Sequence, residues 1–232
     1  MGMYYPEMII AGVVFAIISS IVQGRLTSKF SQYSKVPLSN RMTGADVANK
    51  MLNDNGISDV RVISTPGQLT DHYDPRKKTV NLSESVYGTC SVAAAAVAAH
   101  ECGHAVQHAQ SYRWVMMRSN MVPLVNISSK MFNILIIAGV FVLSMFNNPM
   151  VLWLGVLAYG ATTLFSVITL PVEYDASNRA LKWLEQSRIL SSQEHTMGAD
   201  ALKWAARTYL VAALSSIVTL LLLVMRILGR RR

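Results

Sequence analysis

Long apolar runs alternate with polar segments along the chain. The apolar runs cover residues 7–23, 131–146, 150–172 and 208–228. All but 131–146 approach the ~20 residues that a helix needs to cross the hydrocarbon core of a bilayer. A single run of this kind could be a buried helix of a soluble protein. Four of them in 232 residues predict a mainly α-helical, multi-pass integral membrane protein with about four transmembrane helices.

The flanks of these runs suggest how the chain is divided. The first run resembles a signal peptide, but no basic stretch precedes it and no clear cleavage site follows, so we expect a retained transmembrane helix over 1–24. Only Asn147-Asn148-Pro149 separates the next two runs, which predicts a transmembrane hairpin over 131–172. Residues 208–232 are expected to form a C-terminal transmembrane helix with a basic tail.

The polar segment 25–130 contains signals for short elements. Thr43 is expected to begin an amphipathic helix that ends within 53–56, and residues 60–63 read as a strand. Residues 69–82 predict a β-hairpin turning at Asp74-Pro75-Arg76-Lys77. We interpret the second arm of this hairpin as an edge strand that could pair with an extended peptide.

The stretch 93–108, AAAAVAAHECGHAVQH, carries the clearest chemistry. Its alanines favour helix, and a helix advances ~100° per residue, so His100 and His104 should share one face. Two such imidazoles can bind one Zn²⁺, while Glu101 can reach a water that the metal activates for peptide hydrolysis. The H-E-x-x-H pattern also arises by chance. However, three of the five histidines lie at positions 100, 104 and 108, which favours the zinc interpretation.

A two-histidine site needs a third ligand, and Glu173 is the best candidate. It opens the polar helical segment 173–207, directly after the third apolar run. Asp175 competes with it, but the two side chains should lie about 200° apart on a helix. His108 has rotated about 80° from His100, so we expect it outside the metal's ligand set.

Two further polar residues lie beside the predicted hairpin. Asp71 and His72 are residue types that often ligate metals. Their position next to a turn instead predicts side chains held by local hydrogen bonds. We therefore expect neither of them to bind the zinc.

If all four runs cross the bilayer, the histidine pair and Glu173 lie on the same side of it. The short flanks on that side hold most of the positive charge, which by the positive-inside rule predicts a cytoplasmic site in a bacterial cell membrane. These cations are Arg25, Lys29, Lys35, Arg41, Arg113, Arg118, Lys130, Arg179, Lys182, Arg188, Lys203 and Arg207. The other side has Arg226 and the terminal Arg230–Arg232, and this tail argues for the reverse orientation.

Composition agrees with a membrane location. The chain is 52% apolar and only 15% charged, and it carries a net charge of +8. The cations flank apolar runs and do not form an aromatic-studded face, so no nucleic-acid partner is expected. The two cysteines form no disulfide framework, which agrees with a reducing compartment.

Several motifs together resemble the YugP-like, membrane-bound neutral zinc metallopeptidases of bacteria. The matching stretches are D-H-Y-D-P at 71–75, L-S-E-S-V-Y at 82–87, A-A-H-E-C-G-H-A-V-Q at 98–107, E-Y-D-A-S-N-R-A at 173–180 and A-R-T-Y at 206–209. The resemblance covers nearly the whole chain. It implies a zincin-like α+β catalytic unit with a small β-hairpin or sheet, and bound Zn²⁺.

That family is in turn similar to the HtpX-type and CAAX prenyl endopeptidases, gluzincins with H-E-x-x-H and a later E-x-x-A-D. This resemblance implies that Glu173 is the third zinc ligand, with Ala176 in register. Ser177 stands where those relatives have an aspartate that supports a zinc histidine. What orients His100 or His104 therefore stays open, with Asp175 as one candidate.

A gluzincin also needs a hydrogen-bond donor for the oxyanion of its tetrahedral intermediate. Tyr209 is our first choice, and Arg207 and His195 are the alternatives. For Tyr209 alone, an aromatic anchor at the membrane interface is an equally good interpretation.

The sequence thus predicts a membrane-embedded zinc endopeptidase in which Glu101 is the general base. Its expected partners are the lipid bilayer and a peptide or membrane-protein substrate, and a homo-oligomer stays open. One alternative is a zinc-binding membrane scaffold without proteolytic activity. A zinc transporter is disfavoured, because the apolar runs contain almost no ionisable residues.

Overall fold

The computed structural model describes residues 6–229, so the predicted tail Arg230–Arg232 lies outside the described residues. Within this range the chain forms helices and one small sheet. In order they are α1 (Pro6–Tyr33), α2 (Gly44–Asp54), β1 (Arg61–Thr65), β2 (His72–Asp74), β3 (Thr79–Ser83), α3 (Glu84–Tyr87), α4 (Val92–Ala109), α5 (Arg113–Phe146), α6 (Met150–Gln186) and α7 (Ser192–Gly229).

Four of these helices, α1, α5, α6 and α7, are long and apolar enough to cross a membrane. At most 22% of the most apolar window of each is buried inside the protein. Exposed apolar side chains of this kind are what a lipid environment accommodates. The prediction of a mainly α-helical membrane protein with four transmembrane helices is confirmed.

The long helices extend beyond the apolar runs that predicted them. The run 131–146 is the end of the 34-residue helix α5. Helix α6 continues through Pro171, and α7 runs without interruption from Ser192 into the last span. A proline removes only one backbone hydrogen-bond donor, so α6 can continue through Pro171. The segments beyond the apolar runs are rich in good helix formers, so these helices do not end where the apolar runs end.

The described chain divides into two compact units. The first comprises residues 6–21, 117–170 and 209–229 and is built from apolar helical segments. Within it the rings of Phe132 and Tyr159 lie 4.9 Å apart, centroid to centroid. The Thr163 hydroxyl lies 3.5 Å from the Ser216 carbonyl oxygen and bonds α6 to α7.

The second unit, residues 22–116 and 171–208, is organised around α4. Alanines at positions 93–96, 98 and 99 are at most 1% exposed, so this helix is covered on nearly every side. Small side chains permit neighbouring elements to approach closely. The surrounding core includes Val47 and Met51 from α2, Val80 and Leu82 from β3, and Leu184 from α6.

The sheet has the strand order β1-β3-β2. Strands β2 and β3 pair antiparallel, which confirms the predicted hairpin. Strand β3 also pairs in parallel with β1 and is fully buried, so the prediction of an edge strand over Thr79–Leu82 is wrong. The chain passes from β1 through β2 before it forms β3, and β3 then pairs with β1 on its other side. Hydrophobic patterning does not reveal such a non-consecutive pairing. The edges of the sheet are β1 and β2.

Helices α2 and α4 both begin with a side-chain cap. Thr43 and Asp46 make a reciprocal capping box at α2, whose hydrogen bonds hold the pKa of Asp46 below its ordinary value. Ser91 caps α4 by accepting a hydrogen bond from the Ala94 amide. The Ser91 cap fixes where α4, the helix that carries the H-E-x-x-H sequence, begins.

Gly103 marks the closest approach of α4 to α6. A Cβ placed on Gly103 would lie 2.6 Å from the Ala176 carbonyl oxygen and 3.2 Å from the Ala176 Cα. Both obstacles are backbone atoms that cannot rotate away. The absence of a side chain at Gly103 is therefore what lets the two helices come together at this level.

We expect Gly103→Ala to push α4 and α6 apart and to destabilise the protein by about 1–3 kcal/mol, as for other overpacked cores. It should also weaken metal binding by residues on the two helices. Thermal unfolding of the detergent-solubilised protein measures the first effect, and zinc titration measures the second.

Gly198→Ala is the matched control, because a Cβ there meets only ordinary contacts at 3.5 Å with Ala96 and Leu190. Helix propensity alone predicts that this variant is unchanged or up to ~1 kcal/mol more stable. Equal stability of the two variants would contradict the account of Gly103.

Candidate metal centre

The two histidines of the H-E-x-x-H sequence lie one helical turn apart on α4, as the sequence predicts. The ring centroids of His100 and His104 are 4.8 Å apart, and the rings are nearly perpendicular at 81°. Their side chains are 12% and 11% exposed, so the pair lies at the edge of the core. Both Nε2 atoms face the same acidic side chain.

That side chain is Glu173 on α6. Its Oε2 lies 3.4 Å from Nε2 of His100 and 3.6 Å from Nε2 of His104. Glu173 is 2% exposed. One carboxylate oxygen and two imidazole nitrogens thus converge from two helices, and the three ligand atoms lie within 4.8 Å of one another.

This arrangement fits a zinc ion. Two ligands bound at about 2.0–2.1 Å in a tetrahedral zinc site lie about 3.4 Å apart. The observed separations of 3.4 and 3.6 Å between Glu173 and the imidazoles are therefore those of ligands around one ion. Two imidazoles and one carboxylate are also a donor set that leaves a fourth position open for water or substrate.

The charges of the site favour a cation. Burial by itself lowers the pKa of His104, but its hydrogen bond to Glu173 and the charge of that carboxylate outweigh burial, so the pKa lies above the ordinary value. The charge of Glu101 acts in the same direction. A proton therefore competes with a metal ion for the Nε2 of His104.

Ser177 is the hydrogen-bond partner of His100 on the side away from Glu173. Its Oγ lies 3.1 Å from Nδ1 of His100. Ser177 follows Glu173 by one turn of α6. A hydroxyl thus occupies the position at which the resemblance to gluzincins implied a carboxylate.

Gln107 is the corresponding partner of His104, and sequence analysis missed it. Its Oε1 lies 3.0 Å from Nδ1 of His104, and its Nε2 lies 2.8 Å from both the Val172 carbonyl oxygen and Asp175 Oδ2. Asp175 therefore reaches His104 through Gln107. The spacing of three residues places Gln107 on the same side of α4 as His104, but this spacing does not by itself single out a glutamine as a partner.

Glu101 is buried, at 8% exposure, between the two histidines along the chain. It is not part of the three-residue ligand group among the described residues. A carboxylate adjacent in sequence to a metal ligand but outside the ligand set is a candidate general base. Its catalytic role stays a prediction.

The candidates for an oxyanion donor are all on α7. Tyr209 is 38% exposed and belongs to the first compact unit. Arg207 lies over the Trp204 ring at 4.2 Å, and Nε2 of His195 is buried without a hydrogen-bond partner among the described residues. The role of Tyr209 stays a prediction.

The residues expected to lie outside the ligand set have other contacts. Asp71 accepts hydrogen bonds from the amide and hydroxyl of Ser83, and Nδ1 of His72 lies 2.8 Å from the Thr70 carbonyl oxygen. The prediction of a local hydrogen bond is confirmed for His72. It is wrong for Asp71, which bonds across the hairpin to Ser83 at the end of β3. His108 packs against the Tyr73 ring at 5.5 Å.

Comparison with known proteins agrees with this geometry. Residues 8–228 match the family described as "Putative neutral zinc metallopeptidase". Over 209 residues the chain is 39% identical to the "Putative membrane protease YugP" of Bacillus subtilis (strain 168). This alignment covers 90% of this chain and 91% of that protein. No solved structure matches the chain significantly. The chain belongs to this family of neutral zinc metallopeptidases.

Proposed function

We propose that the protein is a membrane-embedded zinc endopeptidase whose metal is held by His100, His104 and Glu173. The observation that carries this proposal is the convergence of Glu173 Oε2 on the two Nε2 atoms, at 3.4 and 3.6 Å. Membership of a zinc metallopeptidase family supports the metal and the hydrolase activity.

Zinc bound at this site supplies Lewis-acid chemistry, since it polarises the scissile carbonyl and lowers the pKa of water. Glu101 takes one proton from the attacking water as the new C–O bond forms at the carbonyl carbon. The same carboxyl then gives this proton to the amide nitrogen as the C–N bond breaks, which yields a carboxylic acid and an amine. Transfer of the remaining acid proton to the amine gives the carboxylate and ammonium products. The burial of Glu101 shields its two proton transfers from bulk solvent.

The proposed substrate is a peptide or a membrane protein, and the proposed location of the site is the cytoplasmic side of a bacterial cell membrane. The orientation rests on the lysines and arginines that flank the spans on the side of the site. We propose Tyr209 as the donor to the oxyanion.

Removing one ligand should abolish tight zinc binding. We expect Glu173→Ala and His100→Ala to weaken zinc affinity by more than the ~10–100-fold that the loss of an outer-sphere partner costs. Competition with a chromophoric chelator on the metal-stripped protein measures this. His72→Ala, at a histidine outside the ligand group, is the matched control. Wild-type affinity in Glu173→Ala would remove the proposed site.

Replacing the general base should stop hydrolysis while the metal stays. Glu101→Gln keeps the shape of the side chain but removes its basicity, so we expect proteolysis to fall by ~10²–10⁴-fold. Zinc content should equal that of the wild type. Full activity in Glu101→Gln would overturn the mechanism, and absence of activity in the wild type on every substrate would favour a zinc-binding scaffold.

The orientation is testable by labelling in whole cells. In a Cys90→Ala background, the thiol of Lys77→Cys, in the exposed hairpin turn, should react with a membrane-impermeant maleimide only after permeabilisation. The thiol of Asn148→Cys, between α5 and α6, should react in intact cells. Cys102 is fully buried and should stay silent. The reverse pattern would show a site outside the cytoplasm.

A further inference from the structure

We propose that Gln107 is a positioning residue that holds His104 in the tautomer a metal requires, and that Asp175 in turn holds Gln107. This inference rests on the proposed function, because it assigns Nε2 of His104 to the metal. It concerns the side of the imidazole that faces away from the metal, where Gln107, Asp175 and Arg179 form a chain that we call the amide relay.

The orientation of the Gln107 amide is dictated by its partners. The Val172 carbonyl oxygen and the Asp175 carboxylate can only accept hydrogen bonds. Both lie 2.8 Å from the same end of Gln107, so that end must be the NH₂ group, and its two hydrogens are both used. Oε1 is then the atom that faces His104.

This orientation fixes the proton on His104. Oε1 of Gln107 is an acceptor, so Nδ1 of His104, 3.0 Å away, must donate to it. In a neutral imidazole the other nitrogen, Nε2, then carries a lone pair. That nitrogen faces Glu173 and is the one that a metal would bind.

The relay is anchored on both helices that supply ligands. Gln107 is completely buried on α4, and Asp175 lies on α6 two residues after Glu173. Arg179 donates to Asp175 at 2.5 Å and to Oε1 of Gln110, at the end of α4, at 2.6 Å. Because Oδ2 of Asp175 accepts from both Arg179 and Gln107, the carboxylate cannot turn without breaking two charge-assisted bonds.

The partner of His100 lacks this property. Ser177 offers a hydroxyl that either donates or accepts, so its contact with Nδ1 is compatible with both tautomers of His100. The structure therefore assigns a preset tautomer to His104 and an adjustable one to His100. Ser177→Ala is the matched comparison, since it removes one outer partner of a ligand without touching the relay.

The direct test is the ¹⁵N spectrum of the histidines in the full-length, metal-stripped Glu173→Ala protein in detergent, at a pH where the imidazoles are neutral. Glu173→Ala removes the carboxylate that competes for a proton on Nε2, so with Gln107 intact His104 should be protonated at Nδ1. Gln107→Met keeps the bulk of the side chain without the acceptor, and should convert His104 largely to the Nε2–H form, whereas Ser177→Ala should leave His104 unchanged. Retention of the Nδ1–H form in Gln107→Met would overturn the relay.

A double-mutant cycle supplies a second test that does not depend on one variant folding. Asp175→Ala removes the acceptor of Gln107, and Gln107→Met removes the acceptor of His104, so each should weaken zinc affinity by ~10–100-fold. Because Asp175 acts on His104 through Gln107, the double variant should lose little more affinity than Gln107→Met alone. Additive losses in the double variant would contradict the relay.

Asp59→Ala is the control for removing a carboxylate, because Asp59 pairs with Lys78 on the exposed surface and its loss should leave zinc affinity unchanged. Glu173→Ala separates the two proposals. If it binds zinc like the wild type, the proposed metal site fails, while the ¹⁵N spectrum still decides the relay. If it loses zinc but Gln107→Met keeps both wild-type affinity and the Nδ1–H form, only the relay is overturned.

Discussion

The site depends on the close contact of two helix backbones, α4 and α6, at Gly103 and Ala176. A Cβ at Gly103 would be 2.6 Å from the Ala176 carbonyl oxygen, so only glycine permits this spacing. The ligands lie on either side of the contact, His100 and His104 on α4 and Glu173 on α6. A separation larger by the size of a methyl group would carry the carboxylate out of reach of both imidazoles.

The contact also brings polar groups into a buried region, where each needs a partner. Ser177 faces His100, and Gln107 bridges from His104 to Asp175. The outer partners of the histidines therefore come from both helices and lock their relative rotation. Packing and hydrogen bonding here specify the same geometry, which is the consistency expected of a rigid metal site.

Much of this could be predicted from residue patterns, because the decisive signals are local. Hydropathy indicates the four long helices, turn residues indicate the β2–β3 hairpin, and the H-E-x-x-H spacing predicts that His100 and His104 share a face. Glu173 is predicted as the third ligand from its residue type and from its position directly after an apolar run. Non-local features were not accessible: β1 lies next to β3 by a crossover, so β3 was mistaken for an edge strand.

Gln107 shows a different limit. Glutamine is an unremarkable residue on a helix, and its role becomes visible only when Val172 and Asp175 of another helix lie beside it. The helix ends were mispredicted for a related reason. Hydropathy marks where the lipid-compatible side chains end, whereas the backbone hydrogen bonding of α6 continues past that point, through Pro171. Spacing within one helix therefore predicts the metal ligands better than it predicts the hydrogen-bond partners that orient those ligands.

The central claim is that two imidazoles and the Glu173 carboxylate share one ion. X-ray absorption spectroscopy of the zinc-loaded wild type tests it most directly. The account predicts a first shell of two histidine nitrogens and light oxygen ligands at about 2.0–2.1 Å, which changes in Glu173→Ala. A sulfur ligand, a single histidine, or an identical first shell in Glu173→Ala would contradict it.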